Sequence, residues 1–206
     1  DELPEFHKDT LDLMRQPLED GQVTISRVAG AVTYPAEFML VCAMNPCPCG
    51  FYGHPTKKCT CPNGAPSRYL SKVSGPLLDR LDIHIEVPPV NFEELSDTKK
   101  GESSELIRAR VNTARRIQIK RFEGTSVTCN ANMTPEMTRK YCILTDNASQ
   151  MLKASFDRLG LSARAYDKIL RVARTIADLD GAEMIDVKHV AEAIQYRSLD
   201  RKFWNN

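Results

Sequence analysis

Five of the chain's seven cysteines fall within the twenty-one residues Cys42–Pro62, CAMNPCPCGFYGHPTKKCTCP. Four of them form two tight pairs, Cys47-x-Cys49 and Cys59-x-Cys61, with nine residues between the pairs. Thiolates are soft donors, and four of them on a Gly- and Pro-containing loop can converge on one tetrahedral centre. Zinc (Zn2+) suits such a set, at metal–sulfur distances of about 2.3 Å. Binding it would order a polar loop that lacks a core of its own, because metal-binding free energy becomes folding free energy. Lys57 and Lys58 would offset part of the charge of a four-thiolate centre. Four unligated thiols or two disulfides stay open as other states of the same residues, and an iron–sulfur cluster also takes four cysteines. His54 is a substitute ligand on the same loop. Cys42, Cys129 and Cys142 stand in apolar or helical contexts and read as packing residues.

The elements around this loop change character along the chain. Residues 7–19 have helical spacing, and Asp20-Gly21 is a turn signal. QVTIS alternates as a strand should, and VAGAVTYPAE carries a Gly where a hairpin can reverse. FMLVCAM (38–44) is a continuous apolar run that suits a strand buried on both faces. After the loop at 45–66, SRYLSKVSGPLLDRL is helical but broken at Gly75-Pro76, and DIHIEV (82–87) reads as another strand. Residues 91–103 are polar and acidic, a linker. Everything later is helical. Leu106, Ile107, Arg110, Val111, Ala114 and Ile117 recur at helical spacing over 104–121. Thr134-Pro135 opens a helix, Asp146 is placed to cap the next, and Gly160 to end it. Ser162 and Asp186 are further caps, with Gly181 as a stop. The reading is an α/β piece over 1–90, a linker over 91–103 and an all-α domain over 104–206.

Within that frame, acids, an asparagine and arginines recur in a telling order. Asp1 and Glu2 open the chain, Asn45 follows an apolar strand, GPLLDRLD places Arg80 before another strand, and GLSARAYDK places Arg164 at a helix start. This order resembles the second half of an AAA+ ATPase, and more closely the magnesium-chelatase-like family. The segments that carry the resemblance are DELPEF, LEDGQVTISR, YPAEFMLVCAMNPCPCG, SGPLLDRLDIHIEV and GLSARAYDKILRVARTIADL. The fold it implies is a partial P-loop NTPase core (strands 4 and 5 and the hairpin before sensor 1) with the four-cysteine loop at 46–62, followed by a helical lid.

The resemblance also implies roles. Asp1 and Glu2 match the end of Walker B, so Asp1 would hold hydrated Mg2+ and Glu2 would orient and deprotonate the attacking water. Asn45 matches sensor 1 near the γ-phosphate of ATP. Arg80 matches the arginine finger that reaches a neighbouring subunit's nucleotide. Arg164 matches sensor 2, although Arg171 and Arg174 share its helix. In-line water, a metal and added positive charge are what phosphoryl transfer requires. Without the resemblance, Arg80 beside Asp79 and Asp82 reads as a surface ion-pair network, and Asn45 as a turn residue before Pro46.

The chain itself contains no G-x-x-x-x-G-K-[ST], so on its own it is expected neither to bind ATP with normal affinity nor to hydrolyse it. It opens without Met and reads as the interior of a longer protein, or as a processed or engineered start. The family's link is to DNA branch migration in recombination and transformation, by a homo-oligomeric ring, expected to be a hexamer. Other relatives insert Mg2+ into porphyrin, and the cysteine loop speaks against a plain chelatase subunit. A zinc-stapled adaptor without a motor is the alternative from another class.

Composition adds limits. The chain is 42% hydrophobic and 27% charged with net charge +1, so a role on nucleic acid must rest on a local patch. One such patch is 104–121, which carries Arg108, Arg110, Arg115, Arg116, Lys120 and Arg121. Its other reading is a solvated charged face. No apolar run is long enough to cross a membrane. The odd cysteine count with two tight C-x-C pairs argues against a secreted disulfide scaffold and fits a reducing, cytoplasmic setting.

Overall fold

The computed structural model describes residues 1–28, 30–90, 96 and 101–197, and they divide into two compact units, Asp1–Leu81 and Asp82–Ser198. The first unit opens with a single 3-10 turn at Leu3–Glu5, then α1 (Lys8–Leu13) and α2 (Arg15–Asp20). Gly21 ends α2 at φ 64, where its N–H donates to the Pro17 carbonyl at 3.0 Å. A left-handed residue is needed there, and glycine takes that conformation without a Cβ clash. β1 (Gln22–Arg27) and β2 (Gly30–Pro35) pair antiparallel, from Gln22 opposite Pro35 to Arg27 opposite Gly30. The Thr24 and Thr33 hydroxyls meet across the ladder at 2.9 Å. α3 (Ala65–Leu70) and α4 (Gly75–Leu78) follow the cysteine loop. They are separate helices because Gly75-Pro76 suits a first turn and not a helix interior.

The small core of this unit is Leu3, Leu11, Val73, Leu77 and Leu78, with Cys42, Met44 and Leu18 half-buried against it. Each fully buried aliphatic side chain contributes about 1.5–3 kcal/mol. Ser74, which precedes α4, donates its hydroxyl to Asp12 Oδ1 of α1 at 3.0 Å.

The two apolar runs expected as strands, 38–44 and 82–87, form none among the described residues. FMLVCAM is extended, with Leu40, Cys42 and Met44 half-buried and Met39 and Val41 exposed. It is therefore not buried on both faces. A ladder needs a neighbouring strand, and among the described residues the only sheet is the hairpin. Ile83, Ile85 and Val87 are likewise exposed.

The second unit is helical. α5 (Ser104–Arg121), α6 (Pro135–Tyr141), α7 (Asp146–Leu159), α8 (Ala163–Leu179) and α9 (Val187–Gln195) surround Ile169, Ala173, Ile185 and Val190, none of which reaches solvent. Thr134 caps α6 by accepting from the Met137 N–H, and Ser162 caps α8 by accepting from Ala165. Gly160 ends α7 in the left-handed region at φ 57. The cap of α7 is Thr145, not Asp146, which is the first helical residue. The Thr145 hydroxyl accepts from the Ala148 N–H at 3.3 Å and donates to Asp186 Oδ1 at 3.1 Å, linking the starts of α7 and α9. Asp186 caps α9, with His189 Nδ1 accepting the Asp186 N–H at 2.9 Å. Of the linker expected over 91–103, residues 91–95 and 97–100 lie outside the described residues, as does 198–206 of the helical domain.

Candidate functional site

The cysteine loop makes the clearest site. Cys47 lies at the bottom of it, fully buried. Gly50 turns the chain at φ 80, and its N–H donates to the Cys47 carbonyl at 3.0 Å. That turn brings Cys49 back beside Cys47, with their sulfurs 3.4 Å apart. The second pair folds onto the first: Cys59 Sγ is 3.8 Å from Cys47 Sγ and 3.5 Å from Cys49 Sγ. With Cys61, all four sulfurs lie within 4.8 Å of one another. All seven cysteines are free thiols in this structure.

These distances fit one ion. Four sulfurs at about 2.3 Å from a common centre stand about 3.8 Å apart when tetrahedral. Sulfurs around a polynuclear iron–sulfur cluster would stand farther apart. The electrostatics agree. The Phe51 backbone N–H, with help from Thr60, Cys47 and Cys61, pulls the Cys49 thiol down to about 5. The Cys49 N–H works the same way on Cys61, but desolvation and the three neighbouring sulfurs outweigh it and push Cys61 up to about 12. One thiolate forms easily and the last does not, as expected when like charges share a small space. A bound dication removes that conflict, and the backbone N–H groups aimed at sulfur are the outer contacts that hold such ligands in place.

His54 is not a ligand in this geometry. Its Nδ1 accepts the backbone N–H of Lys57 at 3.0 Å and of Thr56 at 3.2 Å. The ring also packs edge-on to Phe51, with centroids 5.7 Å apart. Its role is to fold the tip of the loop.

The acidic start sits against the run that leads into this loop. The Leu3 N–H donates to the Ala43 carbonyl at 3.1 Å, which fixes Asp1–Glu2 alongside residues 43–45. Asp1 Oδ1 accepts the Glu2 N–H at 2.8 Å. Glu2 is left-handed at φ 52, ψ 44, alone among the described non-glycine residues. Such a conformation costs about 1–3 kcal/mol in a non-glycine residue and clusters at functional positions. Asp1, Glu2 and Asn45 are all exposed.

The arginines differ from one another. Arg80 follows α4 with its side chain largely buried, donating to the Pro76 carbonyl at 2.7 Å and ion-paired with Glu19 of α2. Glu19 lies 61 residues away in sequence, so this pairing is not the local one that the neighbouring Asp79 and Asp82 suggest. Asp82 instead pairs with Lys168 at 2.5 Å. On α8, Arg164 is exposed in the first turn. Arg171 donates to the Ala131 carbonyl at 2.8 Å and pairs with Asp167. Arg174 is buried, held by Asp178 and by the Ala182 and Glu183 carbonyls.

That last group belongs to a network the sequence does not disclose. Asp178, fully buried, accepts from both Arg121 terminal nitrogens at 2.7 and 2.5 Å, from Arg174 Nε at 3.1 Å and from Asn130 Nδ2 at 2.8 Å. Arg121 also donates to Asn130 Oδ1 at 2.9 Å. The network joins the end of α5 to α8. The one cue in sequence is the i, i+4 spacing of Arg174 and Asp178.

Comparison with known proteins is consistent across both units. Residues 1–95 match the family model for magnesium chelatase, subunit ChlI, and residues 101–197 match the model for its C-terminal part. The chain is 44% identical over 202 residues to competence protein ComM of Haemophilus influenzae, covering 98% of this chain and 38% of that protein. It is 43% identical over 202 residues to the uncharacterized protein YifB of Escherichia coli K12, covering 98% and 39%. A Mycobacterium tuberculosis protein, Rv2897c, is 36% identical over 197 residues, covering 96% and 39%. The chain thus spans about two fifths of the length of the curated relatives it matches. With a family model matched on each unit, the chain belongs to the magnesium-chelatase-like family, together with ComM and YifB.

Proposed function

We propose that this chain is the C-terminal portion of a ring-forming AAA+ ATPase that couples ATP hydrolysis to movement on DNA. The observation that carries the reading is the Leu3–Ala43 hydrogen bond, which sets the strained Glu2 beside the run ending in Asn45. In this reading Asp1 holds Mg2+, Glu2 takes the proton of the attacking water, and Asn45 contacts the γ-phosphate. Arg164, exposed in the first turn of α8, reaches phosphate from the lid. Arg80 serves a neighbouring subunit of the ring, a hexamer, after exchanging Glu19 for that nucleotide. Cys47, Cys49, Cys59 and Cys61 hold structural Zn2+, which keeps the loop after Asn45 in place. The name of the Haemophilus relative, a competence protein, favours a role in DNA recombination over metal insertion. The protein acts in the cytoplasm.

The test uses the longer protein that contains this chain. Glu2→Gln is expected to lower ATP hydrolysis by roughly 10²–10⁴-fold, the range for a lost general base. The 206-residue chain, titrated with Mg-ATP in a calorimeter, is expected to show no micromolar binding, since it holds no P-loop. Full hydrolysis by Glu2→Gln, or micromolar binding by the chain, overturns the reading.

One observation favours a second reading, a zinc-stapled binding module without a motor. Arg80 is engaged by Glu19 and the Pro76 carbonyl within its own unit, as a structural arginine would be. Arg80→Ala separates the two: loss of hydrolysis with an unchanged melting temperature supports the finger.

A further inference from the structure

α5 carries a stripe of positive charge that the fold leaves uncompensated. Arg108, Asn112, Arg116 and Lys120 recur every fourth residue, so they share one face, and Arg115 stands beside them. All five are exposed, while Ala114 and Gln118 on the opposite side are buried against the core. Between Glu105 and Glu123 the helix holds no acid. The other two cations of α5 are already used, Arg110 by Glu102 at 2.8 Å and Arg121 by Asp178. Among the described residues, none of Arg108, Arg115, Arg116 and Lys120 pairs with a carboxylate; Arg115 donates only to the neutral Gln118 side chain.

Elsewhere in the unit several cations sit beside carboxylates. Lys168 is matched by Asp82, Arg171 by Asp167 and Lys188 by Asp180. A solvated face would be expected to show the same mixture of signs. From Arg108 to Lys120 the stripe runs about 18 Å at 1.5 Å per residue. Duplex DNA presents roughly ten phosphates over that length of axis.

We propose that this face of α5 is a docking surface for the phosphate backbone of duplex DNA. Arg108, Arg115, Arg116 and Lys120 supply charge, and Asn112 donates to phosphate oxygen. The surface reads no bases, because lysine and arginine contacts to phosphate carry no sequence information. It deepens the DNA reading above and rests on it. It also assigns the contact to α5 of the helical unit.

The test is fluorescence anisotropy of the 206-residue chain with a labelled random-sequence duplex of about 20 base pairs, at 50 and 200 mM salt. Four phosphate contacts predict an affinity loss of about 150-fold between those salts, from a slope of about −0.9 per contact. The triple variant Arg108→Gln/Arg116→Gln/Lys120→Gln retains one cation and should lose only about 3- to 4-fold over the same range. A control with the same charge change, Arg139→Gln/Lys140→Gln/Lys153→Gln, alters exposed residues of α6 and α7 and should keep the native salt slope. Absence of binding, or equal weakening by both triple variants, overturns the proposal. So does a sedimentation result in which the stripe joins two copies and excludes DNA.

The outcomes also separate this proposal from the motor reading. DNA-stimulated ATPase in the longer protein, unchanged by the stripe variant, sinks the stripe and leaves the motor. Stripe-dependent binding with no ATPase in the longer protein does the reverse.

Discussion

Asp178→Ala is the substitution whose cost the helical unit states most directly. The carboxylate is fully buried and accepts four hydrogen bonds, from Arg121, Arg174 and Asn130. Burial already pulls the Arg174 guanidinium below its usual range, and Asp178 is the main group opposing that. Removing the acid leaves a nearly inaccessible cation with only the Ala182 and Glu183 carbonyls as partners. Breaking a buried pair by deleting one partner costs about 3–5 kcal/mol. Those carbonyls remain, so about 3 kcal/mol is the expected figure. For a unit of roughly 100 residues, where 1 kcal/mol shifts Tm by about 4–8 °C, that is a fall of about 12–24 °C. Urea denaturation followed by circular dichroism measures it. The triple exchange Arg121→Met/Arg174→Met/Asp178→Leu should recover much of the loss, since apolar isosteres remove the uncompensated charge along with the acid. A loss below about 1 kcal/mol for Asp178→Ala would refute the reasoning, because it would mean that Arg174 finds solvent when its partner goes.

Three further outcomes follow from the site and its surroundings. Elemental analysis of the purified chain should find one zinc per molecule, and Cys49→Ser/Cys61→Ser should reduce this well below one while leaving the helical circular dichroism in place. Metal removal with a chelator should open residues 50–60 to protease ahead of the rest, because Cys47 is the only residue of 46–62 that is buried. The third concerns acid. The Lys188 side chain, and then His189, hold Asp180 below its ordinary value of 3.8, while the Val187 N–H and then the Thr145 hydroxyl hold Asp186 below it. Native carboxylates with lowered pKa bind fewer protons than unfolded ones, so their stabilisation is present above about pH 4 and fades as pH falls through the lowered values. Asp180→Asn/Asp186→Asn should flatten the urea midpoint between pH 5 and 2.5, and an unchanged acid limb would contradict this.

Local signals were legible in the sequence and pairings across space were not. Thr134, Ser162, Asp186 and Gly160 stand where the structure needs caps, because a cap is decided within three or four residues. The choice between Thr145 and Asp146 escaped the same reasoning, since both side chains suit a cap and the Thr145 bond to Asp186 spans 41 residues. The two cysteine pairs converge because the loop between them is short and turns at glycine. By contrast, Arg121 looks like one more cation of a basic helix until its partner arrives from 57 residues away. The N-terminal half of α5 departs from its pattern in the same way. Leu106, Ile107 and Val111 have inward spacing yet are exposed, since among the described residues the core engages this helix only from Ala114 onward. Residues 38–44 have a strand's composition, but composition cannot supply a neighbour to pair with.

That last stretch has a practical consequence. Over 38–44, among the described residues, the Ala43 carbonyl alone has a backbone hydrogen bond, and Phe38, Met39 and Val41 face solvent. Seven apolar residues with open amides and no proline form a template on which another such segment can add. In concentrated solution the isolated chain should therefore be prone to cross-β aggregation nucleated here. A lysine at Met39 or Val41 is the natural gatekeeper for keeping it dispersed.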